Sequence, residues 1–281
     1  MGRCLTAGLA LIAGCSFDAS GGQGGGDGGT QPGIDASADG GPPDPDAGGP
    51  CMTGALDFSP DEWVQVSHAS LDLTDDFAAL AWVRPRSVDN EYHIVSRHDD
   101  SASEGYVLMI KDRQPEFRVY FPDDSGPPSR CECKKDGEEV TADEWVHLAG
   151  SYAGGSAYLF KNGVLIETCK CEDLCGEGCT GPVASYGGPM TVGIEASRLD
   201  RFAADGLIDD VHVRGSPLTA PFEPLQAAAC AAESLLLFRF ESPVGQELTS
   251  GCGAAATGRL GSESGADLND PDEVDASCPS L

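Results

Sequence analysis

The chemistry this sequence offers begins with sulfur. Twelve of its 281 residues are cysteine. Thiolates either bond to one another or hold a soft metal. Cys131 and Cys133 form one Cys-x-Cys pair, and Cys169 and Cys171 form a second. On a strand, alternation puts both sulfurs of such a pair on one face. The spacing therefore predicts two bonds from the first pair to the second, leaving Cys175 for Cys179. The rival is a zinc or copper thiolate cluster. It lacks Cys-x2-Cys spacing and a neighbouring histidine, and this cysteine content suits an oxidising compartment in which disulfides form.

The other reactive side chains say less. His98 beside Asp99 and Asp100 has the composition of a proton relay or metal site, but an exposed, solvated turn accounts for the same run. Histidines 68, 93, 147 and 212 are scattered. Asp35, Ser37, Asp39, Gly40 and Asp46 have the spacing of an EF-hand calcium loop. Pro42 and Pro43 interrupt it, no helical pattern flanks it, and Asp and Gly are so common here that the spacing arises by composition. There is no His-Glu-x-x-His and no Gly-x-Ser-x-Gly. Lys and Arg number 17 against 46 Asp and Glu, a net charge of −29. Phosphate binding needs a basic stripe, so nucleic acid is excluded as a partner and docking onto anionic lipid is disfavoured.

The chain divides into four parts. Residues 1–15 carry Arg3, an apolar run from Cys4 to Gly14, and Cys15 behind the small residues Ala13 and Gly14. This resembles a bacterial lipobox, which makes Cys15 the lipidation site; a secretory signal cut after a small residue is the alternative. Ser16 in place of Asp implies, by the same resemblance, passage to the outer membrane. The only membrane contact is then through acyl chains, since no apolar run is long enough to span a bilayer. Of the 35 residues from 16 to 50, 17 are Gly or Pro, six are Asp, and none is Lys or Arg. Such a segment cannot bury enough surface to offset its ordering entropy, and is expected as a disordered tether.

From residue 51 the pattern turns to short strands. Trp63–Val66 alternates, and Phe77–Arg84 is a mostly apolar run that stops at Pro85. Tyr92–Arg97, Gly105–Lys111, Glu116–Phe121, Trp145–Tyr152, Met190–Ile194, Leu207–Val213 and Leu235–Phe240 are further strand-like runs. Ser156–Lys161 and Val164–Thr168 flank Asn162-Gly163, the strongest hairpin signal in the chain. The best helical stretch, Glu223–Ala232, is short. The expected fold is all-β, two antiparallel sheets stacked as a jelly-roll sandwich.

Ala55–Phe58, Trp63–Val66, Leu71–Leu73, Phe77–Pro85, Glu144–Ala149 with Tyr152, Tyr158–Gly163 and Gly206–Val213, in that order, resemble the LamG-like jelly roll of the concanavalin A-like lectin/glucanase group. The resemblance spans roughly residues 52–225. It departs at 122–143 and 169–188, where cysteine-rich insertions replace ordinary loops. A LamG-like domain over 51–232 is expected, with 233–281 as an appended strand and an acidic, disulfide-pinned tail.

The resemblance carries further expectations. Jelly-roll termini lie side by side, so Cys51 is expected to bond Cys230, leaving Cys252 for Cys278. Many members hold a structural calcium between the first strand region and the last. Asp209 and Asp210 stand on the matching late segment and Asp61 near the early one; a sheet-edge pair satisfied by backbone and water is the alternative. Glucanases of the group carry Glu-x-Asp-x-x-Glu on one strand. Here Glu167 and Glu172 have the outer spacing, but Cys169 stands where the aspartate should be. Trp82 and Trp145 fall on core strands, while Trp63 could line an exposed face. No catalytic residue is assigned. The expected function is cell-surface binding or adhesion, with a glycan as ligand and calcium as an optional helper. The alternative is a protein-interaction domain using the cysteine-stapled loops.

Overall fold

The computed structural model describes residues 54–99, 101–122, 129–197, 202–224, 230–240, 247–252, 257–261 and 271–274. The leader with Cys15, the 16–50 tether, Cys51 and Cys278 lie outside them, as does half of the expected helix, at 225–229.

Two antiparallel sheets stack as a sandwich. The first runs β10 (Val164–Lys170), β9 (Ser156–Lys161), β8 (Val146–Ala153), β3 (Phe77–Pro85), β12 (Gly206–Arg214), β1 (Ala55–Phe58) and β16 (Asp272–Val274), with β13 (Ser234–Phe238) also on β12. The second runs β14 (Glu247–Thr249), β15 (Thr257–Leu260), β2 (Val64–Val66), β11 (Met190–Val192), β4 (Tyr92–Asp99), β5 (Glu104–Lys111), β6 (Gln114–Phe121) and β7 (Ser129–Lys134). Asn162 and Gly163 turn β9 into β10 with φ of 51° and 75°, as the Asn-Gly signal requires.

Alternation sends Phe77, Ala79, Ala81 and Val83 of β3 inward, toward Tyr106 and Leu108 of β5 and Phe117 and Val119 of β6. Phe77 meets Tyr106 at 4.7 Å between ring centroids and Phe117 at 6.1 Å. Gly150 of β8 makes this approach possible: a Cβ there would lie 2.1 Å from the Phe117 ring. The outer face of the first sheet is also apolar. Ala78, Leu80, Ala149 and Phe160 are covered by Leu218 and Phe222. The covering segment is tied down by Leu218 N–H donating to Ser151 Oγ at 2.8 Å and Phe222 N–H donating to the Gly163 carbonyl at 3.0 Å. Trp82 is fully buried on this outer side, beside His147. Trp63 is buried, not exposed, and Trp145, expected in the core, is only half-buried because it precedes β8.

The tail is part of the sandwich. Beyond residue 232 the chain supplies not one strand but four, two to each sheet. That corrects the pairing expected for Cys230, which bonds Cys252, 22 residues away, and not Cys51. The cause is local: after β14 the chain runs back along β13, with Gly251 N–H donating to the Leu237 carbonyl at 2.8 Å and Leu237 N–H to Ser250 Oγ at 3.0 Å. Cys230 is therefore not the end of the domain, and Cys252 is not left for Cys278.

The other three bonds follow the sequence argument: Cys131–Cys171, Cys133–Cys169 and Cys175–Cys179. The first two have Cα separations of 5.0 and 5.5 Å. Because β7 is the last strand of one sheet and β10 the last strand of the other, these bonds join sheet to sheet along one open side. Cys171 opens a short helix, α1 (Cys171–Cys175), that sequence patterning did not reveal.

Removing both cross-sheet bonds by Cys→Ala at 131, 133, 169 and 171 is expected to cost about 4 kcal/mol in urea unfolding, the chain-entropy value for loops of this length. Removing either bond alone should cost much less than half of that, since the other still holds the same strands together. Two equal, additive losses would overturn this account.

Candidate functional site

The outer face of the second sheet carries a dense group of charged side chains. Register aligns Ser96, Val107, Arg118 and Glu132 in one row across β4–β7, with Met109 and Glu116 in the next. Arg118 is the centre. Its guanidinium is ion-paired with Glu116, lies 3.5 Å from Glu132 and reaches Glu91 at 3.7 Å. Burial works against that charge, but the surrounding carboxylates, led by Glu116, outweigh it and raise the Arg118 pKa. Glu91 also contacts His93 at 3.2 Å and Lys111 at 2.9 Å. Burial pulls its carboxyl up, yet the bonds from His93 and Lys111 prevail and hold it at about 2.

His98 belongs to this group, not to a solvated turn. It is buried on β4, stacked on Tyr120 at 5.5 Å, and its Nδ1 bonds Ser96 Oγ at 2.9 Å. Asp99 instead caps the following turn, accepting from Ser101 N–H at 2.8 Å, and Asp100 lies outside the described residues. A glycosidase needs one carboxyl kept protonated by a raised pKa. Here three carboxylates share one buried cation, and the one among them that is clearly shifted, Glu91, is held low and not raised. Glu167 is paired with Lys135 at 3.0 Å on β10.

The residues expected to hold calcium are not brought together. Asp209 and Asp210 sit at a bulge of β12, where Asp210 has φ of 47°. Asp209 Oδ1 accepts Asp210 N–H at 2.7 Å, and Arg239 Nε lies 4.0 Å from Asp210 Oδ1. Register pairs Leu56 with Ile208 and Phe58 with Gly206. The chain after Phe58 thus runs away from Asp209, and Asp61 falls in an exposed turn where β1 crosses to the second sheet. Among the described residues no three His, Cys, Asp or Glu side chains converge on a metal-sized site. A calcium held by this trio does not fit the arrangement.

A different feature has the form of a binding site. At one end of the sandwich a cleft of about 320 Å³ is lined by Ser67, His68, Ala69, Arg97 and the 187–189 backbone. Alternation gives Arg97 the inward face of β4, level with Tyr106, so it enters the mouth between the sheets. It is only 4% exposed. Its Nε has no hydrogen-bond partner, and the nearest carboxylate oxygen, Asp72 Oδ1, is 3.9 Å away. Asp72 is fixed by Ser185 Oγ, which donates to its other oxygen.

A model of the concanavalin A-like lectin/glucanases superfamily matches residues 58–221, more than half of the chain. The chain belongs to that superfamily. No curated protein matches it. Among solved structures it resembles a candidate carbohydrate-binding protein from Bacteroides ovatus, at 13% identity and a TM-score of 0.56, over 82% of this chain and 62% of that one. The chain thus spans less than two thirds of that relative. A heptameric pentraxin from Limulus polyphemus is similar at 14% identity and a TM-score of 0.45, over 63% of this chain and 81% of its own. The likeness to the Bacteroides ovatus protein shows the fold.

Within this concanavalin A-like domain, sequence reasoning missed Arg97, Asp72 and the Arg118 group. One signal was available: in Val95-Ser96-Arg97, alternation puts Arg97 on the same face as the core residue Val95, and an inward-facing arginine requires a partner.

The buried imidazoles make a pH prediction. Burial, with a contribution from His212, pushes His147 down to about 3, and burial drives His98 well below the usual imidazole range. The unfolded chain takes up these protons below about pH 6.5 and the folded protein does not. Their stabilisation is therefore complete above that pH and is lost as pH falls toward 3. Glu91 adds a loss between its ordinary value of 4.5 and about 2. Tm should decline steadily below about pH 6.5. The variant His147→Gln should flatten that decline, and an unchanged slope would count against the assignment.

Proposed function

We propose that this protein is a non-catalytic module that binds carbohydrate. The end cleft carries this reading: Ser67, His68 and Arg97 line an opening on a concanavalin A-like lectin scaffold. Sugar sites are built from such polar groups, fixed in advance by the fold. The charged outer face of the second sheet supports a non-catalytic role, since its carboxylates are tied to Arg118 and Glu91 is held low, where a general acid needs a raised pKa. We further propose that the module is exported and anchored through lipid on Cys15. Export agrees with the disulfides and with the sequence of the leader. The outer membrane is the destination that Ser16 implies.

A second reading, a protein-contact surface on the cysteine-stapled edge, is favoured by Val164 on β10 and Leu174 on α1. They are 56% and 53% exposed, the most exposed large apolar side chains among the described residues. Two such residues make a small patch, and scattered exposed apolar side chains are ordinary.

The test is a glycan array probed with the oxidised full chain, with calcium and again with chelator. Selective binding to a few related glycans is expected. Loss of those spots in chelator would revive a calcium site built from other residues. A blank array from folded protein would overturn the carbohydrate reading and direct attention to Val164 and Leu174.

A further inference from the structure

The outer face of the first sheet is closed by a segment with no strand partner. We propose that residues 215–224 form a strap that acid releases, uncovering the apolar face of β3, β8 and β9 beneath it. The release does not depend on what the end cleft binds.

The strap has no regular secondary structure through residue 223. Three of its ten residues, Pro217, Pro221 and Pro224, lack a backbone N–H and cannot donate to the sheet. Its middle is tied by Leu218 N–H on Ser151 Oγ and by Phe222 N–H on the Gly163 carbonyl. Leu218 covers the cluster of Ala78, Leu80, Ala149 and Phe160. The half-buried Phe222 packs edge-on against Phe160 at 5.3 Å and His147 at 5.7 Å. A segment with few apolar contacts and few backbone bonds opens locally, at a lower free energy than the whole fold.

What lies under Phe222 makes that opening sensitive to protons. His147 is 2% exposed, and its Nδ1 has no hydrogen-bond partner among the described residues. On β3 it meets Trp82, whose indole N–H is likewise buried and unpartnered, while Arg84 turns its Nε to the Asp143 carbonyl. Beyond β3, on β12, stand His212, whose Nε2 bonds Ser234 Oγ at 2.9 Å, and Asp209, which accepts Asp210 N–H. On β9, Lys161 reaches the Glu139 carbonyl, and in the turn that follows Asn162 Oδ1 accepts the His147 backbone N–H. The one charged side chain of the strap, Glu223, is exposed. Burial, with a smaller push from His212, holds the His147 imidazole at about 3, and among the described residues no carboxylate offsets it.

The closed strap therefore keeps His147 neutral. In the open form the ring meets water and titrates near its ordinary 6.5. The preference for the closed form is complete above that pH and is lost as pH falls toward 3. From about pH 7.5 to about pH 5 the ratio of open to closed strap should rise roughly thirtyfold, since over that range only the open form takes up the proton.

The test is hydrogen exchange on the oxidised full chain, read amide by amide. The Leu218 and Phe222 amides should lose roughly thirtyfold in protection between about pH 7.5 and about pH 5, once the pH dependence of exchange itself is removed. Amides of β3 and β12 should keep their protection, which marks the opening as local. In His147→Gln the loss at Leu218 and Phe222 should vanish. His147→Phe keeps an aromatic ring between Trp82 and Phe222 without a titratable group, and serves if the first variant does not fold. Strap protection that stays constant with pH, or that falls together with that of β3 and β12, would overturn the strap. A folded variant without the imidazole that still shows the thirtyfold loss would overturn the role of His147.

Discussion

The spacing of the two sheets depends on one contact, the Phe117 ring of one sheet against the bare backbone of Gly150 in the other. Stacked sheets lie about 10 Å apart, and aromatic side chains fill that gap only where the facing residue gives way. Phe117 meets Phe77, and Phe77 meets Tyr106, whose hydroxyl donates to the Leu71 carbonyl at 3.2 Å. Leu71 ends the 3-10 turn at Ala69–Leu71, next to both His68 and Asp72. A single aromatic chain therefore runs from the middle of the core to the 3-10 turn that precedes Asp72. The position of Asp72 relative to Arg97 is set by packing that begins three side chains away.

Two buried arginines of the second sheet show how context assigns a role. Arg118 is buried with three carboxylates around it, so its charge is matched and its geometry is closed. Removing one partner of such a group leaves an uncompensated buried charge, which is why the arrangement reads as structural. Arg97 is as deeply buried but has one carboxylate, too far for a hydrogen bond.

Much of the fold was legible because its signals are local. Alternation in Trp63–Val66, the buried run Phe77–Arg84 and the Asn162-Gly163 turn need no knowledge of the rest of the chain. The Cys-x-Cys pairs were equally legible, since period-two geometry fixes which face each sulfur takes. What failed depended on distant partners. Cys230 pairs with Cys252 because β13 and the chain after β14 run together, which no local pattern announces. His98 looked like part of an acidic turn, yet strand β4 extends through Asp99 and buries it. The calcium expectation rested on matching segments of other proteins. It met a register in which the chain leaves β1 in the wrong direction for Asp61 to reach Asp209. Arg97 and Asp72 are separated by 25 positions in sequence and joined only at the mouth of the sandwich.

The paired bonds from β7 to β10 and the start of α1 have a consequence for damage. Lys134, Lys135, Asp136 and Gly137 form an exposed turn inside the loop that those bonds close, and a basic, accessible segment of this kind invites a trypsin-like protease. A cut there leaves the chain in two pieces, but Cys131 and Cys133 remain on one and Cys169 and Cys171 on the other. The nicked molecule stays covalently whole, with both sheets in place and the end cleft undisturbed, until a reductant separates the halves.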